Sequence, residues 1–404
     1  MLEKRGIPGF IVLFLLVVSI FTTRALFAQK ELRNPDNIIC GAERTGEYIS
    51  LLDGKSIGLV GNPSSMIGDT HLLDSLLSLG INVHKVFCPE HGFRGKGEAG
   101  EKLFDHKDPV TGIDVVSLYG KKMNASPEDV EGIDLILFDI QDVGARFYTY
   151  ISTLHFVMEA AAQLSIPIII LDRPNPNGFY VDGPIREDEF VSFVGLHPIP
   201  VVHGMTIGEY GKMINGEGWL ENAAECELTV IPCLNYDHLC TYSLPVKPSP
   251  NLPNKESVFL YPSLCFFEGT IASIGRGTSI PFQVFGHPDI DGDFYFRPVS
   301  TPGASLHPKL EGELCRGFDL RSVGVERVLD KRGLILDWII MSFRDLGSKP
   351  EFFTSYFDKL IGNSWVREDI INGLPSETIR AKWADDVNRF KETRRKYLLY
   401  PDFE

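Results

Sequence analysis

From Lys55 onward, short apolar runs alternate with longer stretches in which apolar positions recur every three or four residues. Ile57–Gly61 reads as a buried strand. Leu72, Leu73, Leu76 and Leu77 share one face of a predicted helix over 70–79, with Asp69 as its cap and Gly80 as its stop. Val83–Cys88, 114–118 and 133–140 follow as strands. A helix over 149–163 leads into a strand over 166–171, and a helix over 206–215 leads into a strand over 227–232. Strands that alternate with helices return through right-handed crossovers. The predicted fold class is therefore α/β, with a doubly wound, mostly parallel sheet.

The pattern changes after Tyr242. Residues 244–262 hold five of the 26 prolines and read as a linker or a rigid active-site loop. Beyond them the alternation weakens, although helices over 325–346 and 376–397 remain legible. A boundary is placed after residue 256, giving domains 29–256 and 257–404. The first 28 residues are a separate object. Lys4 and Arg5 precede an apolar run over 10–21, and small residues follow at Ala25 and Ala28. That run is short for a bilayer span and matches a secretory signal cleaved after Ala28. Export to the periplasm or beyond is expected, with an uncleaved N-terminal anchor as the other reading.

Composition adds exclusions more than identity. The 404 residues are 44% hydrophobic and 23% charged, enough for a full core without disulfide staples. The formal net charge is −15; removing the segment 1–28, with Lys4, Arg5 and Arg24 against Glu3, leaves −17. Such a field repels nucleic acid and anionic lipid, and an anionic substrate would need local arginines. Seven cysteines are an odd number, without the close spacing of a zinc or redox motif. One or two disulfides stay open.

Polar residues gather where strands end. Asn62 follows the first strand, and Glu90, His91 and Gly92 follow the second. The strand that starts at Ile133 ends at Asp139, Gln141 and Asp142, followed by Arg146, Tyr148 and Tyr150, and the next ends at Asp172, Arg173 and Asn175. Open α/β sheets bind ligands at this carboxyl edge. A carboxyl held against apolar walls can serve as a general acid, and Glu90 has that setting; the alternative is a turn cap or a pair with Arg94. Arg146, Arg173 and Arg276 offer bidentate contacts to a carboxylate, or buried pairs with neighbouring aspartates. Tyr148 and Tyr150 are core aromatics unless their hydroxyls reach a cleft. The G-x-G-x-x-G match at 95–100 opens no helix, the Asp-rich turn at 289–293 departs from a calcium loop, and no G-x-S-x-G occurs. No metal, nucleotide or other cofactor is expected.

Longer motifs carry a resemblance. Pro89-Glu90-His91-Gly92-Phe93-Arg94-Gly95, Ser117-Leu118-Tyr119-Gly120 and Phe138-Asp139-Ile140-Gln141-Asp142-Val143-Gly144-Ala145-Arg146-Phe147-Tyr148 are among them. So are Leu171-Asp172-Arg173-Pro174-Asn175, His203-Gly204-Met205-Thr206, Pro248-Ser249-Pro250-Asn251, Glu268-Gly269-Thr270 and Gly275-Arg276-Gly277-Thr278. Together they resemble the exo-β-N-acetylmuramidase family, from about Gly58 to the C-terminus. The chain departs at Gly286-His287-Pro288-Asp289, where many members carry Gly-Ala-Pro-Trp at the expected cleft rim.

The resemblance implies a Rossmann-like domain, a smaller C-terminal α/β domain and a cleft between them. It implies release of terminal N-acetylmuramic acid from the non-reducing end of peptidoglycan fragments, with a place in cell-wall recycling. Glu90 falls on the family's presumed catalytic acid. His91, Asp139, Gln141, Arg146, Tyr148, Asp172, Arg173, Asn175, His203, Asn251, Glu268 and Arg276 are the substrate-binding candidates. Glycoside hydrolysis needs a second group as well, for which Asp139, Asp142, Glu268 or the substrate's own acetamido group is available. The runner-up is an exported, non-catalytic protein that binds cell-wall sugars.

Overall fold

A computed structural model describes residues 29–35, 37–90, 92–94, 105–120, 122–123 and 125–404. The expected signal segment, His91 and the glycine-rich stretch 95–100 lie outside them. Six strands run parallel: β1 (Ile57–Gly61), β2 (Val83–Cys88), β3 (Asp114–Ser117), β4 (Leu135–Asp139), β5 (Ile168–Leu171) and β6 (Leu228–Ile231). Their spatial order is 3-2-1-4-5-6, with His106–Lys107 antiparallel on the β3 edge. Every residue of β1, β4 and β5 is buried. That is the signature of a sheet covered on both faces.

Side-chain alternation explains the two layers. Leu135 and Leu137 of β4 point to one face, where they join Tyr48 and Leu52 of α1 (Thr45–Leu52) and Leu72, Leu73 and Leu76 of α2 (Leu72–Ser78). Ile136 and Phe138 point to the other, with Ile151 and Leu154 of α3 (Tyr150–Leu164) and Ile207 and Tyr210 of α4 (Ile207–Gly216). The strand order reverses between β1 and β4, and a crevice opens beyond their carboxyl ends.

The second half packs onto the α3/α4 face through one continuous apolar cluster that includes Phe259, Leu260, Phe357 and Trp383. It begins at α5 (Lys255–Leu264), so the proline-rich stretch is irregular only to Asn254, which caps this helix. A small antiparallel sheet follows, β7 (Val284–His287), β8 (Phe294–Phe296) and β9 (Cys315–Asp319), with β9 in the middle. Then come α6 (Val323–Lys331), α7 (Asp337–Asp345), α8 (Ser355–Ile361), α9 (Trp365–Ile371), α10 (Ser376–Ala381) and α11 (Ala384–Arg395).

Two long predicted helices are thus broken. Arg332 adopts a left-handed conformation at φ 45° and ends α6, splitting the span 325–346. The span 376–397 divides between α10 and α11. The cap of α2 is His71, whose Nδ1 accepts the Leu73 amide, because Thr70–His71 pairs with Met66–Ile67 in a tight hairpin that includes Asp69.

After α11 the chain returns to the first half. The Tyr400 hydroxyl donates to Asp172 Oδ2 at 2.5 Å, the Leu399 amide donates to Glu209 Oε1 at 2.8 Å, and Pro401 O accepts from the His238 amide. Burial pushes the Asp172 carboxyl up to about 6.

Beneath α4, His155 Nδ1 meets His197 Nε2 at 3.0 Å, and His197 stacks on Trp219. Burial drops His155 from 6.5 to about 4 and His197 well below its ordinary range. Between those values the unfolded chain binds more protons at His155 than the folded one, so stability falls as pH drops from about 6.5 to about 4. His155 alone should remove about 3 kcal/mol across that window. Urea unfolding at pH 7 and pH 4.5 measures the loss, and His155→Gln should reduce it by a comparable amount. An unchanged pH dependence in that variant would count against the assignment.

Candidate active site

A cavity of about 350 Å3 lies in the crevice, walled by both halves of the chain. Glu90 enters it just beyond β2, Tyr119 just beyond β3, and Phe147 to Tyr150 at the start of α3. Phe193, Val194 and residues 249–252 form one side. Tyr261, Cys265, Glu268, Arg276, Phe282, Tyr356 and Leu360 close the other.

Glu90 is held by a neighbour that the sequence reading left without a role. The Tyr119 hydroxyl donates to Glu90 Oε1 at 2.8 Å. Burial, then the charge of Glu90 and this hydrogen bond, push the Tyr119 phenol well above its ordinary range, so it keeps its proton and donates. Arg94 does not compete for Glu90. It forms bidentate bonds with both Asp74 and Asp108, at 2.7 to 3.0 Å. A carboxyl with one oxygen pinned by a phenol, at the mouth of a small cavity, is oriented for proton transfer.

Phenols dominate the rest of the lining. Tyr148 and Tyr150 meet edge to face at 4.8 Å, and Tyr148 packs on Tyr261 at 5.9 Å. The Tyr148 hydroxyl is bound to Pro248 O at 2.6 Å, so that ring braces the wall while its body faces the cavity. Burial is the first cause that raises Tyr150 and Tyr356 above the usual phenol range, and both also feel the negative charge of Glu90. Tyr356 feels Glu268 and Arg276 too, its neighbours on the same wall.

On the far wall, Arg276 Nε donates to Glu268 Oε1, and the guanidinium lies 5.0 Å over the Phe282 ring. Both side chains stay partly open to the cavity, at 30% and 22% exposure. Lys309 ties down the turn that carries Glu268, donating to the carbonyls of Phe267 and Thr270.

The predicted site residues therefore divide. Glu90, Tyr148, Asn251, Glu268 and Arg276 line the cavity. Asp139, Gln141, Arg146, Asp172, Arg173, Asn175 and His203 are not among its lining residues, and each is engaged by neighbours within the protein. Arg173 makes a bidentate pair with Asp139 at 2.6 and 2.8 Å, both side chains fully enclosed. Asp172 accepts from Thr206 Oγ1 and the Gly208 amide at the start of α4. Gln141 bridges the carbonyls of Asp142 and Pro174, and Asn175 bonds Met205 O. His203 lies buried 3.5 Å from Asp142. Asn175 also explains Gly144, at φ 80°, where a Cβ would stand 2.3 Å from Asn175 Oδ1.

Arg146 is the largest fully enclosed side chain of these. Among the described residues it makes no ion pair with a carboxylate; its two terminal nitrogens donate to Pro184 O, Ile199 O, Leu360 O and Ile361 O at 2.6 to 3.1 Å. It caps the carboxyl end of α8 and joins the two halves. Sequence reasoning missed Tyr119, Tyr261 and Tyr356. Tyr119 carried a signal, its place at a strand end, whereas Tyr356 sits on a seven-residue helix in the region without alternation. The departure at 286–289 falls on β7 and its following turn, away from the cavity lining.

Known proteins agree with this architecture. The family model for the N-terminal part of exo-beta-N-acetylmuramidase NamZ matches residues 57–256, and the C-terminal model matches 259–400. The chain is 40% identical over 379 residues to the peptidoglycan beta-N-acetylmuramidase NamZ of Bacillus subtilis, covering 88% of this chain and 89% of that one. It superposes on the crystal structure of a DUF1343 family protein from Bacteroides fragilis with a TM-score of 0.85 and 45% identity, covering 91% of this chain and all of that one. A second DUF1343 protein from the same organism gives 0.73 and 28%, over 90% of this chain and 99% of that one.

The division of the arginines is testable by melting. Arg146→Met strands four buried carbonyls and Arg173→Met strands a buried carboxylate, losses of about 3–5 kcal/mol that should lower Tm by about 6 °C or more. Arg276→Ala, with a partner partly in water, should cost about 1 kcal/mol or less. Calorimetry that found Arg146→Met as stable as the parent would overturn the clamp.

Proposed function

This chain belongs to the exo-beta-N-acetylmuramidase NamZ family and is a glycosidase acting on peptidoglycan, and we propose that it protonates the scissile bond through Glu90. The substrate is a terminal, non-reducing β-linked N-acetylmuramic acid on a peptidoglycan fragment. The single observation behind this reading is the position of Glu90: beyond β2, at the cavity, with Oε1 held by Tyr119. The cavity lies at the small end of ligand pockets, a size suited to one amino sugar rather than a run of them.

The reaction needs an acid for the leaving oxygen and a second group for the anomeric carbon. Glu90 carries the first role. For the second, Asp139 is locked to Arg173 and Asp142 lies beneath the cavity with His203. That leaves Glu268 on the opposite wall, or the substrate's own acetamido group. Arg276 takes the lactyl carboxylate: Glu268 engages its Nε, and the terminal amino groups form a planar fork that suits a carboxylate better than a lysine would. The basic, apolar and small residues of the first 28 positions support export of the enzyme, with muramic acid release serving cell-wall recycling outside the cytoplasm.

Two variants test the reading. Glu90→Gln should keep the parent Tm and lose about 10²–10⁴-fold in kcat on a muraminide with a poor leaving group. Near-normal turnover would remove Glu90 from the acid role. Arg276→Ala should cost about 1.5–3 kcal/mol in kcat/KM on a chromogenic muraminide and spare any weak activity on the glucosaminide that lacks the lactyl ether. Equal losses on both would make Arg276 a structural residue.

A further inference from the structure

Two of the seven cysteines face each other across a short ladder that the proposed chemistry does not use. Ile39 and Leu234 form an antiparallel bridge and exchange both backbone hydrogen bonds, Ile39 N to Leu234 O at 3.1 Å and Leu234 N to Ile39 O at 2.8 Å. One step along in that register Cys40 and Cys233 stand opposite each other, and cross-strand neighbours of this kind have Cα atoms about 4.5–5.5 Å apart. The amides agree with that register. Cys40 N donates to Glu43 Oε2 and Cys233 N donates to the Tyr400 hydroxyl, each at 2.8 Å, so neither bonds across the ladder. A disulfide spans Cα separations of about 4.4–6.8 Å, a range that contains the usual spacing of antiparallel cross-strand neighbours.

The side chains are already in one enclosure. Both thiols are buried, at 4% and 5% exposure. Cys40 Sγ lies 3.8 Å from the Tyr242 hydroxyl and Cys233 Sγ 3.2 Å from the Asp172 carbonyl. A hydrogen bond from Cys233 and the charge of Arg173 hold the Cys40 thiol below its ordinary range, whereas burial pushes Cys233 well above it. The other five cysteines have different surroundings. Cys88 lies on β2 against the α1/α2 layer, Cys226 and Cys265 lie in the main core, and Cys315 lies in the small sheet. Cys240 packs near Cys233, with its Sγ 3.5 Å from Asp237.

We propose that Cys40 and Cys233 are a disulfide site, oxidised as the chain folds in an oxidising compartment. The proposal draws on the expected export for its setting, not for its geometry. The oxidant is a small-molecule or protein disulfide. The Cys40 thiolate attacks it, forms a mixed disulfide and releases one thiol; the Cys233 thiolate then attacks the Cys40 sulfur and releases the second. Two protons and two electrons pass from the cysteine pair to the oxidant. Because the finished site excludes solvent, exchange happens before residues 37–44 dock, and the completed bond is slow to reduce. The bond would staple this segment beside Asp172, adjacent to the Arg173–Asp139 pair under the cavity.

The test uses the full chain, reduced and unfolded, then refolded in mixed reduced and oxidised glutathione until muraminide hydrolysis or a native melting transition returns. Alkylation and digestion without reductant should yield one linked peptide joining Cys40 to Cys233, and a denatured thiol assay should find five thiols rather than seven. Prolonged reduction should lower Tm by about 5 °C or more, and Cys40→Ala should melt like the reduced parent and no longer respond to reductant. Seven free thiols in the refolded native protein, or a bridge that uses Cys240, would overturn the proposal. Since refolding takes place in vitro, failure here leaves the reading of Glu90 and of export separate.

Discussion

The Arg146 guanidinium sits fully enclosed among backbone carbonyls, and the rest of the site depends on it. A buried cation usually finds a carboxylate; here four peptide dipoles stand in its place. Two belong to the loop after β5, and two are the terminal carbonyls of α8, where the helix dipole also favours a positive charge. Burial and the nearby Arg186 push it down to about 9, which still leaves it charged at neutral pH. The same contact explains Gly362, at φ 83°, where a Cβ would lie 2.7 Å from Arg146 Nη2. Through α8 the clamp sets the height of Tyr356 and Leu360, and so the width of the cavity between the two halves.

Charge is stratified around that clamp. Away from the cavity lining, the strand-end aspartates are held by neighbours: Asp139 by Arg173, Asp142 by the Gly144 amide, Asp172 by the start of α4. Within it, the lining offers two carboxylates, one guanidinium and a set of protonated phenols. The lower layer fixes the loops; the upper layer meets the ligand. The phenolic wall is uncharged, so the charged groups facing the cavity among the described residues are Glu90, Glu268 and Arg276.

The strands were legible because β1, β4 and β5 are short, continuous apolar runs between polar turns, and the doubly wound, mostly parallel class followed from the alternation with helices, whereas the strand order came only from the structure. The carboxyl edge followed as well, and with it Glu90. Depth was not legible. Asp139, Arg173 and Glu90 all stand at or just past strand ends, and nothing local says that two of them close on each other while the third meets a cavity. The second half was read least well: Arg332 breaks a helix by adopting a left-handed conformation that only tertiary packing selects, and the sheet of β7, β8 and β9 pairs residues far apart with little alternation. Tyr356 had no signal at all, since its place depends on Arg146 holding a helix some two hundred residues away.

The contact between Tyr400 and Asp172 sets a schedule for assembly. Asp172 closes β5 early in the chain, yet one of its hydrogen-bond donors arrives 228 positions later, and Glu209 waits for Leu399 in the same way. Until that strap docks, both carboxylates lack hydrogen-bond donors that they have in the folded chain. A chain so arranged completes these buried networks only when its last residues return to the first half.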